Sequence, residues 1–399
     1  MTSQNVLDIE ITRQRLADAG IDGWLFRDFR GTDTIGNSLL GLAKDGHRTR
    51  QFFYYIPAQG EPVKIVHRIE PRALEPLPGQ TRTFSRWQEL DAVLGEVLGG
   101  AQRIAMQYSP LGAIPYISRI DAGTVERVRS LGVEIVSSAD LVQEFQATLN
   151  ERQWHLHRTA ADKLHRLINL VFSEISHRLD KGHRTTEYDI QRFMLEYYRQ
   201  EGLVSDYPPI VAVGANSSDP HYMPSEKHHA EIVPDRVVQI DTWAKCNKDD
   251  GIYADISWVG YTGAKVPAEV AQVFATIAKA RDAGVDAIKT ARSKGETLRG
   301  CDVDDVCRGI IEEAGHGEHF VHRTGHSLYD VPHGNGANID NYETHDDRLL
   351  RPRCLFTIEP GIYIPEQFGL RTEINVYLPD EGDPIVTGSG AQPEVALLG

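Results

Sequence analysis

Residues 237–260 read VVQIDTWAKCNKDDGIYADISWVG, in which two apolar runs flank the loop-forming residues of NKDDG. This pattern predicts a β-hairpin, because Asn, Asp and Gly favour turns between strands. With the turn centred on Lys248, Asp241 and Asp255 would face each other, with their Cβ atoms about 5 Å apart. Aspartate is depleted in strands, and two facing carboxylates repel each other. The pair therefore predicts a cation between the two side chains.

A second acidic hairpin is predicted in residues 358–378, IEPGIYIPEQFGLRTEINVYL. A turn centred on Glu366 would pair Glu359 with Glu373, which stand at the same interval as the two aspartates. Buried carboxylates are costly unless they are paired or bind a metal, and hard divalent cations prefer carboxylate oxygens. The two hairpins together predict a metal site. The alternative is that the four acids lie on solvated strand faces, where most acidic residues are found.

Histidine is concentrated between residues 316 and 345. Six of the 16 histidines lie there, namely His316, His319, His322, His326, His333 and His345. A neutral imidazole is a common ligand of divalent metals. Four carboxylates and one histidine would form a dinuclear site of the kind that activates water for hydrolysis. The clustering alone does not identify the ligand, since a single histidine is more often a hydrogen-bonded core or surface residue.

Outside these motifs, the sequence pattern changes near residues 147–156. Residues 1–150 alternate apolar runs with helical stretches, which predicts an α/β domain. This part contains no Gly-rich phosphate loop between a strand and a helix, and no candidate catalytic group. Residues 151–399 contain four helical patterns and two strand-rich segments, which predicts an α+β domain with its helices on one side of a mostly antiparallel sheet.

Composition and charge exclude several classes of protein. The chain has 399 residues, is 41% hydrophobic and carries a net charge of −15. Nucleic acids and anionic membranes favour basic surfaces, so neither is an expected partner. The four cysteines show no C-x-x-C spacing, and the N-terminus lacks the regions of a signal peptide. No apolar run reaches the about 18 residues of a membrane helix. We therefore expect a soluble cytoplasmic protein with reduced thiols.

These motifs resemble those of the creatinase, aminopeptidase P and prolidase family, the pita-bread metallopeptidases. IEPGIY and GLRTE match the sequences around the family's two glutamates, and His322, His326 and His333 match the spacing of its three histidines. PPIVAVGANSSDPHYMP matches its segment that ends in a substrate-side histidine. The resemblance covers about residues 155–399. It implies a pita-bread catalytic domain over 151–399, preceded by a smaller creatinase-like α/β domain over 1–150.

The family's five-ligand set appears in this sequence in the family's order. The resemblance implies that Asp255 and Glu373 bridge two divalent metal ions, that Asp241 completes one ion, and that His326 and Glu359 complete the other. Manganese is the expected metal, and such oxygen and nitrogen ligands also accept Co, Zn and Fe. The resemblance also implies a homodimer.

Further residues receive substrate and catalytic roles from the same resemblance. Glu359 is the implied acid/base partner of the water between the metals. His333 and His322 are implied to bind or stabilise the substrate around the scissile carbonyl, and His221 to line the substrate side. Arg371 is implied to orient a ligand carboxylate.

Two positions depart from the family's pattern. The two aspartates usually stand about eleven residues apart, so the first hairpin is longer here. The prolidase arginine that binds the free carboxylate of a dipeptide is replaced by His345, with Arg348 three residues later. We therefore expect Arg371 or Arg348 to bind that carboxylate, because the guanidinium fork binds both oxygens, with His345 assisting when it is protonated.

The resemblance implies a dinuclear metallopeptidase that hydrolyses the Xaa-Pro bond of a dipeptide or short peptide. We favour an Xaa-Pro dipeptidase, or prolidase, over an aminopeptidase P that acts on longer peptides. Creatinase is disfavoured because it lacks the metal ligands that this chain retains, whereas a lyase of the same fold stays open. The alternative from another class is a non-catalytic pita-bread domain that binds proteins, and it would be marked by lost ligands.

Overall fold

The structure, a computed structural model, describes residues 6–42 and 48–399, and the chain divides into two units, Met1–Gln146 and Ala147–Gly399. Among the described residues, no helix is long and apolar enough to cross a membrane.

The N-terminal unit is a mixed sheet with helices. Its strands are β1 (Gly23–Asp28), β2 (Phe52–Pro57), β3 (Val63–His67), β4 (Gln80–Phe84), β5 (Arg103–Met106) and β6 (Glu134–Ser137). Its helices are α1 (Ile9–Asp18), α2 (Thr34–Leu39), α3 (Trp87–Leu98), α4 (Ala122–Ser130) and α5 (Ala139–Gln146). The strand order is β4-β3-β2-β1-β5-β6, in which β1 pairs antiparallel with β2 and parallel with β5.

Successive side chains along the strands of this unit point alternately into two hydrophobic cores, one on each face of the sheet. Trp24 and Phe26 of β1 point into one core, while Leu25 between them points into the other. This period of two is what a sheet covered on both faces requires, and it confirms the predicted α/β class. The sequence pattern did not indicate β4, because the first four residues of QTRTF are exposed and polar.

The C-terminal unit contains four helices and ten strands. The helices are α6 (Glu151–Asp180), α7 (Glu187–Glu201), α8 (Ala268–Ser293) and α9 (Gly300–Glu313). The strands are β7 (Leu203–Val204), β8 (Ile210–Val213), β9 (Val237–Cys246), β10 (Ala254–Tyr261), β11 (Leu355–Ile358), β12 (Gly361–Ile364), β13 (Phe368–Arg371), β14 (Ile374–Tyr377), β15 (Ile385–Val386) and β16 (Ala396–Leu397). One sheet runs β16-β10-β9-β7, with β8 also paired to β9, and the other ladders are β11-β14-β15 and β12-β13.

Local sequence signals mark two helix starts and one helix end in this unit. Thr186 caps α7, because its side chain accepts a hydrogen bond from the Asp189 backbone N–H at the start of the helix. Pro267 immediately precedes α8. At the end of α6, Gly182 adopts φ +67°, a left-handed conformation that glycine tolerates and that ends the helix.

The predicted placement of all four helices on one side of one sheet is wrong. Apolar residues of α6 and α7 pack against β8, β9 and β10, whereas those of α8 and α9 pack with the strands β11–β14. The strands form separate ladders, so each pair of helices buries its apolar stripe against a different part of the strand layer. The α+β class itself is confirmed.

Candidate metal centre

The β9–β10 hairpin places Asp241 and Asp255 on one face, but not directly opposite each other. Asp241 pairs with Ser257, and Asp255 pairs with Trp243. The predicted register is therefore wrong: each aspartate faces a residue two positions away from the predicted partner. The turn lies later than predicted, because Gly251 N–H donates to the Lys248 carbonyl oxygen, 2.9 Å away. A Cβ on Gly251 would lie 2.3 Å from the Cys246 carbonyl oxygen, so only glycine fits this turn without displacing its neighbours.

The second hairpin has the predicted register, with Glu366 at its turn in a left-handed conformation (φ +61°). Its ladder is interrupted. Near the turn, β12 pairs with β13, from Ile364 opposite Phe368 to Gly361 opposite Arg371. The pairing then stops and begins again between β11 and β14, where Ile358 is opposite Ile374. Glu359 and Glu373 fall in this gap. Their backbone N–H groups instead donate to Thr324 O, 2.7 Å away, and Ser257 O, 3.2 Å away. The interruption turns both glutamates toward neighbouring segments.

His326 lies beside these glutamates because the preceding residue, Gly325, packs closely against the backbone of β11. A Cβ on Gly325 would lie 2.0 Å from the Thr357 carbonyl oxygen, so the chain needs glycine to pass β11. The backbone N–H of His326 then donates to Thr357 Oγ1, 3.0 Å away. This contact holds the histidine beside the glutamate that follows β11.

Asp255, His326 and Glu373 form a buried set whose ligand atoms all lie within 4.8 Å of one another. His326 Nε2 is 3.2 Å from Glu359 Oε1 and 3.8 Å from Asp255 Oδ2. Asp241 joins the set through Ser257, whose Oγ is 2.7 Å from Asp241 Oδ1 and 3.0 Å from Glu373 Oε2. The structure thus brings together all five residues that the sequence suggested as metal ligands.

The carboxylates of this cluster lie so close together, and so far from water, that they resist ionisation. Burial and the neighbouring carboxylates raise the pKa of both Asp255 and Glu373 well above the usual range. Burial also raises the pKa of Glu359 to about 7, although Arg371 acts in the opposite direction. Burial lowers the pKa of His326, so its imidazole is neutral and can donate a lone pair.

These residues fit a divalent metal. Asp255 Oδ1 is buried and has no hydrogen-bond partner among the described residues, which is unusual for a carboxylate. Arg371 donates to one of the four carboxylates, and the charge of Arg323 also acts on Glu359. The four carboxylates still outnumber these neighbouring cations, so further positive charge is needed. Carboxylate oxygens with one imidazole nitrogen suit Mn, Co, Zn or Fe rather than a thiolate-seeking metal.

Arg371 lies inside the cluster rather than beside an open substrate site. Its Nη2 donates to Asp241 Oδ2, its Nε donates to Ser257 Oγ at 3.0 Å, and its Nε is 3.8 Å from Glu359 Oε2. Its Nη1 donates to Tyr363 Oη, 3.1 Å away. A carboxylate group of a substrate would have to share a guanidinium that already binds Asp241.

His322 has both ring nitrogens engaged. Its Nδ1 donates to the Arg323 carbonyl oxygen at 2.7 Å, so its Nε2 accepts from Tyr363 Oη at 2.9 Å. Burial and nearby cationic side chains lower the pKa of His322 to about 3, which keeps this tautomer neutral. Tyr363 therefore links Arg371 to His322 in one hydrogen-bonded chain.

His333 and His221 lie on the accessible side of the cluster. The His333 ring packs edge-on against His326, with 4.3 Å between ring centroids. Partial burial lowers the pKa of His333, and the charges of Arg323 and His221 add to that effect. His221 is exposed, and it follows a 3₁₀ turn, Gly214–Ser218.

The other two candidates for binding a substrate carboxylate are engaged elsewhere. Arg348 is buried, bonds both oxygens of Asp346, and donates to the carbonyl oxygens of Asn335 and Gly336, each 2.7 Å away. His345 is exposed, and its Nδ1 lies 2.7 Å from Asn341 Oδ1. The structure does not bring either side chain into contact with the acidic cluster.

Sequence reasoning missed Ser257 and Tyr363. Ser257 could have been found, since it lies two residues after Asp255 and must share its strand face. Tyr363 has no comparable signal, because its contacts with His322 and Arg371 arise only when separate segments meet.

Comparison with known proteins identifies the family of the chain. The sequence model described as Metallopeptidase family M24 matches residues 156–380, which is more than half of the chain. A protein named as a dipeptidase, PepE, in Mycobacterium tuberculosis is 27% identical over 391 residues, covering 94% of each chain. A protein named as an Xaa-Pro aminopeptidase in Mycoplasma genitalium is 31% identical over 208 residues, covering 50% of this chain and 52% of that protein.

A solved structure shares the fold. The crystal structure of a recombinant prolidase from Thermococcus sibiricus superposes with a TM-score of 0.62 and 22% sequence identity, covering 98% of each chain. The predicted pita-bread architecture is thereby confirmed.

Proposed function

The chain belongs to metallopeptidase family M24, and we propose that it hydrolyses the bond before proline in dipeptides. The observation that carries the proposal is the buried cluster of Asp241, Asp255, His326, Glu359 and Glu373, in which one Asp255 oxygen has no hydrogen-bond partner among the described residues. The names of the relatives, a dipeptidase and an Xaa-Pro aminopeptidase, support the substrate class.

The five cluster residues hold two divalent ions in this proposal, manganese being the first choice. Such ions, when bound, lower the pKa of a water molecule and polarise a scissile carbonyl. As the family resemblance implies, Asp255 and Glu373 would supply oxygens to both ions, Asp241 would complete one ion, and His326 and Glu359 would complete the other. The four carboxylates balance the added positive charge.

Glu359 handles the proton. Its side chain is 13% exposed, compared with 9% for Asp241 and 8% for Asp255, so it is the more accessible of these three carboxylates. It accepts a proton from the attacking water and passes it to the leaving nitrogen. Thr357 Oγ1 donates to Glu359 Oε1 at 3.2 Å and orients the carboxylate.

The histidines bind the substrate in this proposal. His333 is accessible and lies against His326, so its ring N–H donates to the carbonyl oxygen as negative charge develops there. His221 lines the substrate side, on the same accessible side of the cluster as His333. His322 acts through Tyr363, because its own nitrogens are already engaged.

A second candidate function is cleavage of longer peptides in the manner of an aminopeptidase P. The observation that favours it is the state of the three expected carboxylate-binding residues. Arg371 binds Asp241, Arg348 binds Asp346, and His345 contacts Asn341. A longer peptide needs none of them, because its C-terminal carboxylate lies away from the scissile bond.

Substrate kinetics distinguish these candidates. The Mn²⁺-loaded protein is assayed with Ala-Pro, Ala-Pro-amide, Ala-Pro-Ala and Ala-Ala. A charged hydrogen-bonded contact of about 1.5–3 kcal/mol predicts that kcat/KM for Ala-Pro exceeds that for its amide roughly 10- to 150-fold. Equal values, or a preference for Ala-Pro-Ala, would favour the aminopeptidase. Equal cleavage of Ala-Ala would remove the proline requirement, and cleavage of none of them would remove both.

Arg371→Lys tests which group binds the carboxylate. If Arg371 shares this role, the substitution raises KM for Ala-Pro more than for Ala-Pro-amide, because the amide never used the contact. A parallel change in both values would assign Arg371 to the cluster alone.

We further propose a cytoplasmic homodimer. The four cysteines are buried and free, which suits a reducing compartment. The dimer follows from the family resemblance, and sedimentation of the metal-loaded protein tests it.

A further inference from the structure

We propose that Asn375 is a positioning residue that sets the Asp255 carboxylate at the metal centre. Its side-chain amide binds the backbone of Asp255 on both sides of the residue. The inference rests on the proposed role of Asp255 as a metal ligand, and it assigns the task of holding that ligand to a side chain outside the ligand set.

The contact between these residues is a pair of hydrogen bonds. The backbone N–H of Asp255 donates to Asn375 Oδ1, 3.0 Å away, and Asn375 Nδ2 donates to the carbonyl oxygen of Asp255. Asn375 lies in β14 and is 1% exposed. Its amide thus takes the place of a neighbouring strand at one residue of β10.

Asp255 needs such support because of its position. It is the second residue of β10, directly after the long loop that separates β9 from β10. On the edge of β10 away from β9, β16 pairs only with Gly260 and Tyr261. The carboxylate has little support of its own, since Oδ1 has no hydrogen-bond partner among the described residues. Its placement therefore depends on the backbone.

The same segment carries the other proposed bridging ligand. The backbone N–H of Glu373 donates to the Ser257 carbonyl oxygen at 3.2 Å. Glu373 lies two residues before Asn375, and Ser257 lies two residues after Asp255. The segment 373–375 is therefore bound to β10 at alternate residues, 255 and 257. This double attachment fixes the separation of the Asp255 and Glu373 carboxylates, on which a shared metal site depends.

Strand β10 also contains a matched control. Gln392 binds the backbone of Val259 in the same way: Val259 N–H donates to Gln392 Oε1 at 2.8 Å, and Gln392 Nε2 donates to the Val259 carbonyl oxygen at 2.7 Å. Gln392 is also 1% exposed. Val259 carries no ligand atom, so this second amide contact supports the strand without setting a carboxylate.

The experiment compares Asn375→Ala with Gln392→Ala. Each leaves a backbone N–H and a carbonyl oxygen buried without this partner, so both lower the Tm of the metal-free protein. Equilibrium dialysis with Mn²⁺ separates them. Loss of a group that orients a metal ligand costs about 10- to 100-fold in affinity, which we expect for Asn375→Ala. We expect Gln392→Ala to bind Mn²⁺ within about twofold of the parent, since it touches no ligand.

A milder variant keeps the test informative if Asn375→Ala does not fold. Asn375→Thr offers one hydroxyl in place of the separate amide oxygen and nitrogen that bind Asp255, so it supports this residue less well than Asn, and we expect an intermediate affinity. Parent-like Mn²⁺ affinity in a folded Asn375 variant, or equal losses in the Asn375 and Gln392 variants, would overturn the proposal. Parent-like affinity in Asp255→Asn would instead overturn the metal assignment itself.

Discussion

Arg371 donates a hydrogen bond to Asp241 within the cluster of four buried carboxylates. One carboxylate therefore has a cationic partner from the chain itself. Among the described residues, the Asp255 and Glu373 carboxylates have no such direct arginine or lysine partner, and burial raises the pKa of both well above the usual range. The need for a metal is accordingly greatest at the two residues proposed to bridge.

Neutralising either proposed bridge should release metal and abolish activity together. Asp255→Asn or Glu373→Gln removes an oxygen donor and a charge shared by both ions. Metal content by elemental analysis and kcat with Ala-Pro measure the result. Glu366→Gln is the control, because it removes one charge from the exposed turn of the second hairpin. Two metals per chain and a near-normal rate in a bridge variant would contradict the assignment.

The two adjacent histidines should respond differently to truncation. His326→Ala should reduce metal content, since its Nε2 faces Asp255 and Glu359. His333→Ala should retain metal and lower kcat about 10²–10³-fold, as loss of one transition-state hydrogen bond does. Elemental analysis and steady-state kinetics test both. The opposite pattern, with metal lost only from the His333 variant, would exchange the two roles.

Removal of metal should make stability fall as pH rises. The pKa of Glu359 is about 7 in the folded chain, against an ordinary 4.5. The folded state then holds a proton that the unfolded state has released, so stability is lost as pH rises through about 7. Buried histidines with lowered pKa act oppositely, because they take up protons in the unfolded state around and below their ordinary pKa of about 6.5.

Thermal unfolding of the chelator-treated protein between pH 6.5 and 8 measures this slope. Mn²⁺ should raise the Tm most at pH 8, and Glu359→Gln should flatten the metal-free slope. Equal metal-free slopes in the parent and in Glu359→Gln would contradict the expectation.

Adding one methyl group beside His326 should destabilise the C-terminal unit. In Gly325→Ala, the new Cβ would lie 2.0 Å from the Thr357 carbonyl oxygen, and forcing the backbones apart costs about 1–3 kcal/mol. Gly309→Ala on α9 is the control, because nothing lies within 4 Å of its added Cβ. That change should stabilise by about 0.5–1 kcal/mol through helix propensity. Urea unfolding of both variants tests the pair, and equal effects would contradict the close contact.

The sequence predicted which five side chains meet in the acidic cluster better than it predicted their surroundings. The turn at Glu366 was predicted correctly, because a short loop between two apolar runs leaves little choice of register. The turn after β9 was not, since its longer loop allows several centres and the close approach of Gly251 to Cys246 decides among them. Local pattern does not contain that contact.

Contacts between distant segments were beyond sequence reasoning for the same reason. Nothing near Arg348 in the sequence reveals that its guanidinium also donates to the backbone carbonyl oxygens of Asn335 and Gly336. The amide of Asn375 likewise gains its meaning only when β14 meets β10. Residue chemistry indicates what a side chain can bind, whereas its partner is fixed by packing.

The position of the second hairpin, which starts more than 100 residues after the start of the first, sets an order of events during protein synthesis. The ribosome makes Asp241 and Asp255 well before Arg371 and Glu373, which belong to one of the last hairpins. Until that hairpin emerges, the first two aspartates have neither their arginine partner nor the backbone bond from Glu373 to Ser257. Metal binding at the proposed centre is therefore expected late in the maturation of the nascent chain, after residues 371–373 have been made.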